Sequence, residues 1–81
     1  MKLPRDVSAS ALEQSLKKAF GYTFTRQIGS HCRLTTSEKG VHHITLPAHN
    51  PLKPGTLRSI LREVASRQNL TTDEVLSLLN L

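Results

Sequence analysis

The residue whose type and setting best suit chemistry in this 81-residue chain is His31. It follows Gly29-Ser30, part of a glycine-containing turn between two segments with strand character. Imidazole exchanges protons near neutral pH, so a histidine beside a turn suits proton transfer to or from a ribose hydroxyl or a leaving oxygen. Arg33 follows two residues later, and a guanidinium group can hold a phosphate through paired hydrogen bonds. The pattern indicates His31 as a candidate acid or base, while an ordinary surface histidine gives the same pattern.

The charge balance indicates the class of partner. The chain carries 11 Lys and Arg against 6 Asp and Glu, a net charge of +5. Such an excess is typical of proteins that bind a polyanion, most often a nucleic acid. With 37% apolar and 4% aromatic residues, the chain can form one small aliphatic core, so we expect a single domain over residues 1–81. A cofactor-binding enzyme with a second domain is excluded.

Other polar residues are candidates for contacts with such a polymer. Gln27 and Ser30 flank the turn before His31, and Arg26 can reach the same edge, although its position in the strand favours the opposite face. His43 lies on a later strand. Lys53 precedes a helix whose free N–H groups suit a phosphate, although a plain helix start explains the same residues. The candidate contact residues are therefore Arg26, Gln27, Ser30, Arg33, His43 and Lys53.

The remaining chemistry-bearing residues do not form a metal or thiol site. Neighbouring strand residues point to opposite faces, so His31 with Cys32, or His42 with His43, cannot act on one ligand. Cys32 is expected to be a small core residue, and one cysteine excludes a disulfide framework. We expect no metal and no other cofactor. The patterns leave the roles of His42 and His49 open.

The elements that position these residues follow from periodicity. Leu12, Leu16, Ala19 and Phe20 indicate a first helix that ends at Gly21. Alternating segments at 22–27, 31–35 and 42–46 predict three strands, and Pro47 ends the last one. Thr56 is the expected cap of a second helix that ends at Asn69, and Thr71 with Glu74 predicts a capping box for a short third helix. The order is α-β-β-β-α-α, an α+β class with a three-stranded antiparallel sheet packed on helices.

Strand parity divides the sheet into two faces. The apolar strand residues are all even-numbered and should face the helices: Phe24, Cys32, Leu34, Ile44 and Leu46. A three-residue turn at 28–30 would pair Gln27 with His31 and Thr25 with Arg33. The opposite, wet face would then carry His31 and Arg33, together with Thr23, Thr25, Gln27, Thr35, His43 and Thr45.

Several ordered segments of the chain resemble the HicA-type toxins of bacterial toxin–antitoxin pairs. These are residues 2–8, Arg26-Gln27-Ile28-Gly29-Ser30-His31, residues 42–47 with His49, and residues 55–62. The tail at 70–81 matches only in its leucine-rich, helix-forming character. The resemblance covers nearly the whole chain in order, which makes it more specific than Gly-Ser-His alone.

The resemblance implies a double-stranded-RNA-binding-domain-like fold, in agreement with the element order. It also implies an mRNA interferase, an endoribonuclease that cleaves RNA and is inhibited by a HicB-type antitoxin. The family's catalytic histidine is the one in Gly-Ser-His, which is His31 here. We expect Arg33 and Lys53 to stabilise the charge on phosphorus, without a metal.

Three alternatives remain at this point. The chain could be a non-catalytic RNA-binding module of the same fold, or a subunit whose leucine-rich end docks another protein. Residues 56–68 and 72–79 could also form a DNA-binding helix-turn-helix, although Asp73 and Glu74 on its second helix would repel phosphate. Since no apolar run is long enough to span a bilayer and the start has no apolar signal region, we expect a cytoplasmic protein with no membrane partner.

Overall fold

The computed structural model describes residues 2–81, which build an antiparallel sheet with helices on one side only. The elements are α1 (Ala9–Phe20), β1 (Thr23–Ile28), β2 (His31–Thr36), β3 (His42–Pro47), α2 (Pro54–Gln68) and α3 (Thr72–Leu79). The strand order is β1-β2-β3, so β2 is central and the two other strands are edges. This α-β-β-β-α-α arrangement confirms the α+β class and is consistent with a double-stranded-RNA-binding-domain-like fold.

The helix ends depend on local side chains and backbone conformation. Ser8 caps α1 by accepting a hydrogen bond from the Ala11 amide at 3.0 Å, and Gly21 ends the helix with φ of 70°. The capping box of Thr71 and Glu74 is confirmed at α3. Thr56 was the wrong cap for α2, because the helix begins earlier at Pro54, whose fixed φ suits the first helical position.

The core lies between the helices and the inner face of the sheet. Helix α3 packs against α1 and α2, and α2 packs against β3. The predicted inward residues Leu34, Ile44 and Leu46 are buried, which confirms the parity of β2 and β3. Phe24 lies on the same side of the sheet but stays half-exposed, because it sits on the edge strand β1.

The register between β1 and β2 differs from the prediction. The turn has two residues, Gly29 and Ser30, so Ile28 pairs with His31 and Gln27 pairs with Cys32. A β-bulge then places one extra residue, Thr25, between the pair of Phe24 with Leu34 and the pair of Arg26 with Arg33. Because the turn is one residue shorter than predicted, the β1 residues that follow the bulge lie on the faces opposite to those predicted. The bulge at Thr25 restores the predicted faces for the residues before it.

Two predicted placements are therefore wrong. Arg26 lies on the open face opposite Arg33, and Gln27 faces the helices beside Cys32. Between β2 and β3 the pairing of Leu34 with Ile44 confirms the expected parity, and it places Pro47 opposite His31. No helix within residues 2–81 is long and apolar enough to cross a membrane.

Candidate nucleic-acid interface

His31 lies at the end of the open sheet face, where its ring is exposed. Its cross-strand neighbours are Ile28 on β1 and Pro47 on β3. The backbone beside it is fixed, because the Ala48 amide donates a hydrogen bond to the Ser30 carbonyl at 2.8 Å. The imidazole is thus presented to solvent from a rigid backbone position, and a polymer lying on the sheet could reach it.

Two arginines face each other next to His31. Arg26 and Arg33 are cross-strand partners on the open face, and Arg33 is two residues from His31 on the same strand. The three strands contain no Asp or Glu. Among residues 2–81, neither arginine has a carboxylate within ion-pair distance. Like charges placed directly opposite each other destabilise a sheet, and a bound phosphate would relieve that repulsion.

Hydrogen-bonded side chains cover the other half of the open face. The Thr25 hydroxyl contacts the Arg33 carbonyl and the Thr35 hydroxyl, each at 3.1 Å, and Thr35 contacts His43 Nδ1 at 2.8 Å. His43 pairs with Thr35, four residues along β2 from His31, which is about 13 Å at strand spacing. His43 is therefore on the predicted face but far from His31, and the structure does not bring the two imidazoles together.

Lys53 and Ser30 are at the same end of the molecule as His31 without being part of the strand face. Ser30 is exposed in the β1–β2 turn. Lys53 precedes Pro54 as the N-cap of α2, and its side chain makes no capping hydrogen bond. The loop that leads to Lys53 starts beside Ser30, at the bond from Ala48. Ser30 adjoins His31 in the chain, whereas Lys53 lies five residues beyond Ala48, so its contact with a strand that passes over His31 stays a prediction.

Gln27 and Cys32 lie on the helix side. Gln27 Nε2 donates to the Gly29 carbonyl at 3.3 Å. The Cys32 thiol points to Glu13 Oε1 at 3.7 Å, and burial, with the Glu13 carboxylate adding to it, raises the pKa of this thiol. A thiol held in its protonated form is a poor nucleophile, in agreement with the structural role expected for Cys32.

Sequence patterns did not reveal the role of His42. Its Nδ1 lies 2.7 Å from the hydroxyl of the fully buried Tyr22, and its Nε2 lies 3.7 Å from Glu63 Oε1. Tyr22 is even-numbered and precedes Phe24 by two residues, so strand parity was the sequence signal that could have placed Tyr22 in the core. Within the part of the chain that the structure describes, no three His, Cys, Asp or Glu side chains are grouped to hold a metal ion.

A protein-family model matches this chain over most of its length. Its description is HicA toxin of bacterial toxin-antitoxin, and it matches residues 9–65. The matched segment contains α1, the whole sheet with His31, and most of α2. Neither a curated protein nor a solved structure matches the chain.

Proposed function

Because the chain belongs to the HicA toxin family of bacterial toxin–antitoxin systems, we propose that it is an mRNA interferase with His31 as its catalytic residue. The observation that carries the proposal is the setting of His31. It is an exposed imidazole on a sheet face that carries two opposed arginines and no carboxylate. This setting suits proton transfer next to a bound phosphodiester.

In the proposed reaction the ribose 2′-oxygen attacks the adjacent phosphorus. The bond from O2′ to phosphorus forms, the bond from phosphorus to O5′ breaks, and the product carries a 2′,3′-cyclic phosphate. The 2′-hydroxyl loses a proton and the leaving 5′-oxygen gains one, and His31 performs one of these two transfers. Arg33 and Arg26 face the negative charge that develops on the phosphorus oxygens, a role for which guanidinium groups are well suited. The two guanidinium groups would thus stabilise the charge on the phosphorus oxygens without a metal ion.

The remaining candidate contacts hold the RNA strand rather than react with it. Lys53 and Ser30 would contact phosphates near His31, and His43 would contact the strand at the far end of the open face. Gln27 faces the other side of the sheet, so any contact it makes is to a nucleotide that passes around the edge of β1.

A toxin of this family implies an antitoxin partner. We propose a HicB-type chain that covers the open face and excludes RNA from His31. An antitoxin that binds there would bury Arg26 and Arg33, so acidic side chains are expected in its contact surface.

The test of this function is the substitution His31→Ala. Acid–base catalysis contributes roughly 10²–10⁴-fold to a rate, so RNA cleavage should fall by at least about that factor, and induced expression should no longer arrest growth. RNA affinity and thermal stability should change little, because the ring is exposed. Cleavage is measured on a labelled single-stranded RNA, and affinity by fluorescence anisotropy on the same RNA with methylated 2′-oxygens, which the proposed reaction cannot cleave.

His43→Ala provides the matched comparison, because it removes a second exposed imidazole from the same face. We expect a higher KM with kcat nearly unchanged, in contrast to the loss of kcat for His31→Ala. Full cleavage by the His31→Ala protein would refute the proposed mechanism. RNA binding without any cleavage by the unaltered chain would identify it as a non-catalytic RNA-binding module.

A helix-turn-helix function is disfavoured by α3. Its first turn carries Asp73 and Glu74, and the helix has no basic residue. A recognition helix with that charge would repel the DNA backbone.

A further inference from the structure

A pocket lies on the helix side of the sheet, directly behind His31. Its volume is about 260 Å³, and it opens between the start of α1, the edge strand β1 and the loop after β3. Pro47, the cross-strand partner of His31, forms part of its wall. A nucleotide next to the one that contacts His31 could therefore enter this pocket by passing around the end of the sheet.

The β-bulge in β1 brings an aromatic ring and an amide together in this pocket. Phe24 and Gln27 are three residues apart and would lie on opposite faces of a regular strand. The extra residue Thr25 puts both on the helix side, and both line the pocket. Bulges often re-aim side chains beside functional sites.

Phe24 is an aromatic side chain that is not buried in the hydrophobic core. The chain has three aromatic residues, Phe20, Tyr22 and Phe24. The first two are buried, whereas Phe24 is 51% exposed. Exposed aromatic rings on a sheet edge are the usual platforms on which proteins stack unpaired RNA bases.

The polar groups of the pocket suit a base and not a phosphate. Glu13 is half-buried in the wall, and neither Lys, Arg nor His lines the cavity. Asn50 Oδ1 accepts a hydrogen bond from the Ala9 amide at 3.2 Å, which leaves the Asn50 amino group free to donate. A carboxylate accepts hydrogen bonds and repels phosphate, so Glu13 selects a ring that presents N–H donors.

We propose that this pocket binds one base of the RNA, and that the base is guanine. This inference rests on the proposed function and adds a sequence preference to it. Guanine presents two adjacent donors, N1–H and the N2 amino group, to which one carboxylate can bind in a bidentate manner. The ring would stack on Phe24, and O6 would accept from the Asn50 or Gln27 amide. Adenine, cytosine and uracil each lack this pair of adjacent donors.

The experiment measures equilibrium binding, so it does not depend on cleavage. The His31→Ala protein is titrated with four uridine hexanucleotides that carry G, A, C or U at one internal position. The oligonucleotide with G should bind at least about fivefold more tightly, at the lower end of what a bidentate base contact provides. Glu13→Gln, made in the same background, should remove the preference for G over A, C and U.

Phe24 is tested by a pair of variants. Phe24→Leu keeps an apolar side chain but removes the stacking ring, and it should weaken binding of the G strand by about fivefold or more. Phe24→Tyr keeps the ring and should preserve the preference. Glu38→Gln is the charge-matched control, because Glu38 is an exposed carboxylate in the β2–β3 turn at the opposite end of the sheet. The Glu38→Gln protein should keep the preference for G.

Four results would overturn the pocket assignment. RNA binding with equal affinity for all four bases, or a preference that survives Glu13→Gln and Phe24→Leu, would refute the pocket while leaving the interferase proposal in place. A loss of binding to a HicB-type antitoxin in these variants, with base preference intact, would assign the pocket to protein docking. Failure of the unaltered chain either to bind or to cut RNA would refute both proposals.

Discussion

At the scale of single residues, Arg26 and Arg33 are like charges that lie opposite each other in the register of β1 and β2. Two guanidinium groups on neighbouring strands repel each other, and no carboxylate of the strands lies between them. Repulsion of this kind lowers folding stability by a few tenths of a kcal/mol to about 1 kcal/mol. It concentrates positive charge next to an exposed histidine, where a phosphate would be bound.

Substitution of either arginine should therefore have opposite effects on folding and on binding. Arg26→Gln and Arg33→Gln should each weaken single-stranded RNA binding by about fivefold or more, because a charged hydrogen bond to phosphate is lost. Each should also raise the free energy of unfolding by about 0.2–1 kcal/mol. Fluorescence anisotropy measures RNA binding, with each variant made in the His31→Ala background so that the RNA stays intact, and urea unfolding measures stability.

Arg62→Gln is the matched control, since Arg62 is exposed on α2, away from the open face. It should change neither quantity appreciably. If Arg62→Gln weakened RNA as strongly as the strand variants, the binding surface would lie on the helices and not on the sheet.

Alternation along β2 was enough to predict that His31 and Arg33 lie on the open face, because β2 is regular and central. The positions of Arg26 and Gln27 could not be predicted in the same way. Their faces depend on a two-residue turn and on the extra residue Thr25, and neither changes the hydrophobic pattern of the segment. The pocket behind His31 went unpredicted for the same reason, since it requires Phe24 and Gln27 on one side.

At the scale of elements, a polar connection joins β1, β3 and α2 at the end of the molecule opposite His31. Tyr22 is buried just before β1, and its hydroxyl contacts His42 on β3, which in turn approaches Glu63 on α2. Burial, with the nearby Glu63 charge acting in the same direction, raises the pKa of the Tyr22 phenol above its usual 10.0. The folded chain therefore holds the phenolic proton more firmly than the unfolded chain does.

The raised pKa predicts a loss of stability in alkali. The contribution of the neutral phenol is fully present below about pH 10 and decreases as the pH rises through the higher pKa of the folded state. Urea unfolding between about pH 8 and about pH 11 should show a steeper decline for the unaltered chain than for Tyr22→Phe. At neutral pH that variant should lose about 0.5–2 kcal/mol, because His42 Nδ1 is left without its partner.

Tyr22 is the only tyrosine and the chain has no tryptophan, so phenolate absorbance follows this group directly. A midpoint at or below that of free tyrosine would contradict the prediction.

Helix limits were largely predictable, since Gly21, Asn69 and the box of Thr71 with Glu74 are strong local signals. The start of α2 was not, because a cap at Thr56 and a first-turn proline at Pro54 are both plausible from sequence.

At the scale of the whole molecule, the strands carry basic and no acidic side chains, although most of the 11 Lys and Arg lie outside the sheet. The open face carries arginine and histidine, whereas the first turn of α3 on the other layer is acidic. Phosphate contacts release counterions, so binding should depend on salt. With Arg26, Arg33 and Lys53 as contacts, a plot of log affinity against log salt should have a slope of about −2 for single-stranded RNA.

This slope is measured with the His31→Ala protein over a range of salt concentrations, so that the RNA stays intact. A flat response would mean that base stacking alone holds the RNA and that the open face makes no phosphate contacts. A slope far steeper than about −2 would indicate that basic residues of the helices also take part.

The sheet has three strands, and both outer ones leave a row of peptide groups unpaired along one side. In newly made chains without a bound antitoxin, the edge strands of two molecules could pair and extend the sheet into ribbons. Chains synthesised in excess would then be removed from the active pool by assembly rather than by unfolding. The dose of free toxin that a cell experiences would rise less than in proportion to the amount produced.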